Sequence, residues 1–360
     1  MSEWNCCIVK IESVVKHPDA DSLDVVTVLG DYPVIVKANE YKPGDIAGYI
    51  SIDTVVPDTE QFYFLCPKSY KKYEEDGEVK QRQDGMKFEL GQVPEKNRII
   101  KAKKIRGVFS MGMLVPALPY LNVGDSIAEA MSLTKWEEEE EDHIVFNRKL
   151  SVGAEAAPKG WSIPYYDIVG LRQGSQLFEG KEVVLYEKLH GANAGFCHDG
   201  TRLWSKSRNN YKRMDPDDMW WEIAIRYDLE NKLSKYPGKV MFGEIYGQVK
   251  KFRYDCDIVN GVMDSKIRFF DIWDTETKRW LEDDQLNTII KELGLDMVPE
   301  LYRGPWLGKT EMYKFAEGLT MLGGRHIREG FVVRPTTESK DAMFNRLIRK
   351  MIGEGYSLQK

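Results

Sequence analysis

The residue best suited to covalent chemistry is Lys188, in the run Glu187-Lys188-Leu189-His190-Gly191-Ala192-Asn193 that follows the apolar stretch Glu182-Val183-Val184-Leu185-Tyr186. A lysine at a strand end beside a glycine can face a pocket with backbone close by. A free lysine titrates near 10.4, so a nucleophilic one must be made neutral. A nearby cation does this by disfavouring the charged form. Taken alone, such a lysine is more often a surface residue before a turn, and the rest of the chain decides.

Downstream, in order, stand Ser207-Arg208-Asn209, Phe242-Gly243-Glu244-Ile245-Tyr246-Gly247 and Phe269-Phe270-Asp271-Ile272-Trp273. Glu329-Gly330-Phe331-Val332-Val333-Arg334 and Leu347-Ile348-Arg349-Lys350 complete the set. Each fragment has an ordinary explanation: Phe270 as core, Glu329 as a turn residue, Asp271 as a loop cap. Their joint order is what carries weight. The set resembles the nucleotidyl motifs of the covalent nucleotidyltransferases, the ligases and mRNA capping enzymes: KxxG, SR, GE, FD, EGxV and a terminal lysine motif.

The resemblance implies that Lys188 attacks the α-phosphate of ATP, releases pyrophosphate and holds AMP. Glu187, His190, Asn193, Arg208, Glu244, Phe270, Glu329 and Lys350 would bind the nucleotide. Phe270 would stack on adenine, and Arg208 would grip a phosphate with its planar fork. Glu244, Asp271 and Glu329 would order Mg²⁺ or Mn²⁺, largely through water, since Mg²⁺ favours oxygen ligands and keeps its waters. Lys350 and the metal would supply the charge that neutralises Lys188 and the attacked phosphate.

His190 stands where most DNA ligases and capping enzymes have aspartate, and K-x-H-G-x-N is similar to RNA-repair ligases. Only ten residues follow Lys350. An OB domain is therefore not expected after the last motif, and the accessory domain is expected in front. That arrangement resembles the Deinococcus-type (fifth) family of polynucleotide RNA ligases. The family's last motif often reads K-x-K, whereas Ile352 occupies the second basic position here, with Arg349 or Arg346 as candidate substitutes.

The elements that must position these residues divide in two. Cys7 to Ile11, Asp24 to Leu29, Pro33 to Val36 and Ile46 to Ile50 read as short strands separated by turn signals such as Lys42-Pro43-Gly44-Asp45. Their spacing predicts a small closed barrel. His17-Pro18-Asp19-Ala20-Asp21-Ser22-Leu23 and Ile105 to Met113 resemble the OB-fold of tRNA-binding domains, which implies single-strand binding. Lys101, Lys103, Lys104 and Arg106 are the phosphate-contacting candidates. The polar segment between Tyr63 and Gly91 reads as a mobile loop.

From Glu182 on, strands and helices alternate: strands at 182–186, 240–242, 267–270 and 331–333, helices at 220–233 and 283–293. The fold class expected is α+β, an N-terminal OB-fold β-barrel followed by a mixed α/β nucleotidyltransferase domain. The boundaries expected are 1–135 for the OB-fold, 136–150 for an acidic linker and 151–360 for the catalytic domain. The run Glu137 to Asp142 repels itself and resists packing.

Composition bounds the rest. With 360 residues, 42% hydrophobic and 30% charged, the chain can build two cores. No stretch has the ~18 apolar residues of a membrane span, and the first residues lack a signal pattern, so an intracellular, cytoplasmic protein is expected. Five scattered cysteines without CxxC exclude a zinc ribbon and suggest no disulfide framework. A net charge of -6 means that nucleic acid must meet a local basic patch. The partner expected is RNA, or an RNA-containing nicked or splinted duplex, with no membrane and no required protein partner.

The favoured reading is an ATP-dependent RNA ligase that seals 3′-OH and 5′-phosphate ends. A GTP-using guanylyltransferase and a non-catalytic RNA-binding protein with a decayed ligase domain are the alternatives.

Overall fold

The computed structural model describes residues 4–75, 78–136 and 154–359, the last apart from 159–160, 162, 165, 167, 209, 250–251, 257, 260–261 and 342–345. Of the segment expected as an acidic linker, only Trp136 lies among them. The chain divides into two compact units, Met1–Glu139 and Glu140–Lys360.

In the first unit, alternation builds the sheets. Along Leu23–Val28, Asp24, Val26 and Val28 are buried while their neighbours are half-buried. This strand pairs antiparallel with Ser13–Lys16 and Tyr32–Lys37. A second antiparallel sheet joins Cys7–Lys10, Ile46–Ile50 and Met113–Pro116. Val9, Ile11, Val26, Val28, Val34, Ala47 and Tyr49 form one core between them. Asp24 is buried because its carboxylate accepts from the backbone of Asn39, 2.8 Å away, where the chain turns through a positive φ of 64°.

The segment read as a mobile loop is instead a two-stranded ribbon, Lys68–Glu75 against Glu78–Met86. It lacks the alternating apolar residues that announce a half-buried strand, because little of it is buried. Lys103–Ile105 and Val108–Ser110 form a tight hairpin with Arg106 and Gly107 at its turn, both at positive φ.

The second unit is built on two sheets. Seven antiparallel strands run in the order Ala154–Glu155, Tyr211–Lys212, Leu203–Lys206, Ala192–His198, Lys239–Tyr246, Lys266–Asp274, Arg279–Trp280. Ala192, Ala194, Phe196, Met241, Ile245, Ile267 and Phe269 face helices Met219–Arg226, Leu229–Leu233 and Asp283–Glu292. The strand period of two turns Asn193, Gly195, Phe242 and Glu244 to the other face.

The expected single helix over 220–233 is broken in two, with Asp228 at φ 53°, ψ 43°. Aspartate tolerates that left-handed conformation better than most residues. The break lets Ile223 and Ala224 on one piece, and Leu229 and Leu233 on the other, all reach the core.

A five-stranded sheet runs in the order Val169–Gly170, Arg349–Ile352, Gly330–Pro335, Glu182–Lys188, Glu300–Pro305. Val183, Leu185, Phe331, Val333 and Met351 pack on Leu171, Phe178, Trp306 and Met312. Val184 and Tyr186 turn the opposite way and meet Tyr246, Tyr254 and Phe270. The two sheets therefore share an inner layer.

A buried ion network crosses that layer. Arg334, 2% exposed, donates to Asp271 at 3.3 Å and to Asp283 at 2.5 Å, and both carboxylates are buried. Arg346 also pairs with Asp271 and stacks over Trp280, 4.4 Å from the ring centroid. Burial would raise the carboxyl of Asp283, yet Arg334 and Arg303 hold it below the ordinary range. Removing one partner from such a set leaves a buried charge uncompensated. Arg334→Met is expected to cost about 3–5 kcal/mol in chemical denaturation. A loss under ~1 kcal/mol would mean that Arg346 and Arg303 suffice alone.

Candidate active site

Strand phase sets the site. Lys188 is the last residue of Glu182–Lys188 and shares the face of Val184 and Tyr186, so its amine points towards the seven-stranded sheet. Its backbone pairs with Gly330, and Glu329 immediately precedes that residue. The Lys188 Nζ lies 2.7 Å from Glu329 Oε1.

Two glycines allow close backbone packing on either side of this pair. A Cβ on Gly330 would meet the Met351 carbonyl oxygen at 1.9 Å, and φ there is 151°. A Cβ on Gly191 would meet the Ile245 carbonyl oxygen at 2.1 Å. The second contact brings the turn after Lys188 against the strand that carries Glu244.

Glu244 pairs in register with Asn193 on the seven-stranded sheet. Burial pushes its carboxyl up to about 7, and Glu329 adds to the shift, while Lys188 and Arg208 oppose it. Glu329 goes the other way. Burial would raise it, but Lys188 and the nearby His190 pull it down to about 2. Two neighbouring carboxyls thus sit in different states, one ionised at all ordinary pH and one poised near neutrality.

His190 is held from both sides. Its Nδ1 shares a 2.6 Å hydrogen bond with the Tyr356 hydroxyl and lies 3.8 Å from Glu329 Oε2. Its backbone N–H donates to the Tyr254 hydroxyl at 2.7 Å. Neither tyrosine belongs to the motif set, and no local pattern announces them, since Tyr356 is 166 positions from His190.

Glu187 and Asn193 each keep one buried side-chain oxygen, Oε1 and Oδ1, with no hydrogen-bond partner. Adjacent strand residues face opposite ways, so Glu187 is out of phase with Lys188; its Oε2 accepts from the Met321 backbone at 2.8 Å. Phe270 is half-buried in the inner layer, its ring 5.1 Å from that of Tyr166.

Asp271 stands apart from the other sequence-derived metal candidates. Its carboxylate is fully buried and takes hydrogen bonds from Tyr166, Arg334 and Arg346. The reason is the bulge between Phe242 and Gly243, which sets Asp271 opposite Phe242. Its acceptor capacity goes to the ion network, and Glu244 and Glu329 are the carboxylates at Lys188.

Lys350 is buried on the face shared with Val332 and Tyr186, its backbone paired with Val332. Ile352 pairs with Gly330 and so occupies the rung of Lys188 itself. Neither proposed substitute reaches that rung: Arg349 pairs with Asp341 at 2.9 Å, and Arg346 with Asp271 and Glu338. In the first unit, Lys101, Lys103, Lys104 and Arg106 are all exposed, and Arg106 spends one donor on the Asp19 carbonyl at 2.9 Å.

The raised carboxyl of Glu244 has a consequence for stability. The folded state binds a proton that the unfolded chain releases above its ordinary value of 4.5. This contribution is complete below 4.5 and is lost as pH rises through about 7. Without nucleotide or divalent ion, thermal unfolding is expected to shift downward between pH 5 and pH 8, by the acquired charge of one group. Glu244→Gln should remove that part of the shift; an unchanged pH dependence would assign it elsewhere.

Residues 181–352 match the RNA ligase family model, and residues 6–117 match a family model described as the PHA02142 OB-fold domain. No curated protein matches. Among solved structures, a variant of Naegleria gruberi RNA ligase with ATP and Mn is similar at a TM-score of 0.74 and 19% identity, covering 99% of each chain. A second variant of that ligase, with AMP and Mn, is similar at 0.71 and 18%, covering 99% of this chain and 98% of the other. The same ligase with PPi matches at 0.70 and 19%, again over 99% and 98%. At that identity the likeness establishes the fold, and the chain carries in order a segment that matches an OB-fold domain and a segment that matches the RNA ligase family model.

Proposed function

We propose that this protein is an ATP-dependent RNA ligase that carries AMP on Lys188 and seals 3′-OH and 5′-phosphate ends. The observation that carries the reading is the Lys188 amine, 2.7 Å from Glu329 and close enough to Glu244 to oppose the rise of its carboxyl. In the first step the Lys188 nitrogen bonds to the α-phosphorus of ATP and pyrophosphate leaves. In the second, the N–P bond breaks as AMP passes to a 5′-phosphate. In the third, a 3′-hydroxyl displaces AMP and the phosphodiester forms. Positioning and charge stabilisation carry most of the rate in transfers of this kind.

Glu329 orients the amine through the ion pair, and His190 shares the load on that carboxylate. Asn193 Oδ1, a buried acceptor in want of a donor on the Glu244 face, suits an amino or hydroxyl group of a nucleoside, whereas Glu187, out of phase with Lys188, would reach a nucleotide only from beyond the strand edge. Phe270 offers a stacking face, Arg208 a phosphate clamp, and Lys350 a buried positive charge on the inner face. The residues also fit Mg²⁺ or Mn²⁺. Glu244 and Glu329 are two carboxylates, and among the described residues no cluster of three or more protein ligands exists. That suits an ion that keeps several waters and, when bound, neutralises charge on the transferring phosphate.

Within RNA ligases, His190 and an accessory domain on the N-terminal side favour the Deinococcus-type family. Lys101, Lys103, Lys104 and Arg106 are the proposed phosphate contacts of the OB-fold domain, and repair of nicked or broken RNA is the proposed setting.

Lys188→Ala is expected to abolish covalent labelling by α-labelled ATP, and GTP should label the parent poorly. Labelling retained at full strength in the variant would refute the nucleophile assignment. Tyr356→Phe keeps the ring and removes the bond to His190, so labelling should slow about 2–10-fold with little change in ATP half-saturation. A change confined to half-saturation would move Tyr356 from orienting the site to binding the nucleotide.

A further inference from the structure

Lys206 is a cation that the chemistry above does not use. It is only 8% exposed, at the end of the strand Leu203–Lys206. Its backbone pairs with Gly195, and Gly195 pairs in turn with Phe242, so the three form one rung of the seven-stranded sheet. Strand phase puts that rung on the inner face, one step from the rung of Asn193 and Glu244. The missing side chain of Gly195 makes room for the lysine stem, since a Cβ there would meet Lys206 Cγ at 2.8 Å. The ammonium lies 5.5 Å from the centre of the Phe242 ring. That ring packs on Tyr166, which packs on Phe270.

No protein anion answers this charge. The ammonium donates to the Arg208 carbonyl at 3.3 Å, and Lys206 has no ion pair among the described residues. Its neighbours Cys197 and Tyr211 do not help: burial pushes both the thiol and the phenol well above their ordinary values, so neither is an anion at neutral pH. Burial lowers the Lys206 amine, and Arg208 adds to that as a like charge. The other buried cations Arg334 and Arg349 each have a carboxylate, Asp283 and Asp341. An ammonium buried with no anion is costly.

We propose that Lys206 is a phosphate-binding residue of the nucleotide site, its remaining donors directed with Arg208 at the phosphates of bound ATP. The proposal rests on the ligase reading and adds to it a cation outside the motif set. Arg208 acts on both Glu244 and Lys206, which ties this lysine to the carboxylate nearest Lys188 on the seven-stranded sheet. An ammonium has three donors, and the Arg208 carbonyl takes one. Base and ribose offer neutral acceptors, whereas phosphates also carry the charge that balances a cation. The Phe242 ring holds the ammonium in place through its π face.

Lys206→Met in the full-length chain keeps the stem over Gly195 and removes the charge. On a Lys188→Ala background, where nucleotide is not consumed, calorimetry compares ATP with adenosine. Affinity for ATP should fall about ten-fold or more, and affinity for adenosine should stay that of the background. Ligand-free thermal unfolding should stay level or rise, because an unmatched buried charge has gone. Unchanged ATP affinity would overturn the proposal, and so would an equal loss for adenosine, which assigns Lys206 to the base or ribose. A drop in ligand-free stability would make it a structural cation instead. Loss of affinity only for a 5′-phosphorylated RNA oligonucleotide would move the charge to the polynucleotide and also overturn it. If the parent binds ATP but never becomes labelled, the ligase reading falls, while the comparison of ATP with adenosine still decides Lys206.

Discussion

One ion pair organises the second domain. Lys188 ends a strand, Glu329 stands just before the strand that pairs with it, and the backbone on either side of their 2.7 Å contact packs where no Cβ can stand. Gly330 answers that need on one side and Gly191 on the other. The amine is thereby held on the inner face, with one carboxylate beside it and another opposite. What looks like a loose motif, a lysine three residues before a glycine, is a condition on how closely the turn after Lys188 packs on the strand that carries Glu244.

The sheets keep that distance through a second polar device deeper in the layer. Arg334 leaves the same strand that begins at Gly330 and reaches Asp271 on the seven-stranded sheet and Asp283 on the adjoining helix. Asp271 adjoins Phe270, so the network that anchors one residue also sets the aromatic ring beside it. Tyr166 touches both, donating to Asp271 at 2.8 Å and packing on Phe270. Buried charges are costly unless paired, and here their pairing ties the two sheets and the helix together across the inner layer.

Much of this was legible in the residues, and the failures have physical causes. The α+β class followed from the mixed order of strands and helices, and the OB-fold from short strands at regular spacing and the resemblance carried by His17–Leu23 and Ile105–Met113. The ribbon at 68–86 was missed because a strand exposed on both faces has no apolar period to read. The helix break at Asp228 was missed because aspartate inside a helical pattern is ordinary until its φ is known. Asp271 looked like a free carboxylate because Arg334 and Arg346 are 63 and 75 positions away. Tyr254 and Tyr356 left no trace at all, since only packing brings them to His190.

The charge inventory explains why the two carboxylates differ. Lys188 neutralises Glu329 directly, and His190 helps; Glu244 has the more distant Lys188 and Arg208 and the Gly191 backbone N–H against its own burial. Ile352 on the rung of Lys188 denies the site a second cation from that strand. A nucleoside triphosphate entering between the sheets would add negative charge to a place already short of positive partners. Protonation of Glu244 or a divalent cation can settle that deficit, and only the cation also serves the phosphates. On the proposed reading, the isoleucine would leave Arg208, Lys350 and a bound metal among the positive charges on which the site relies.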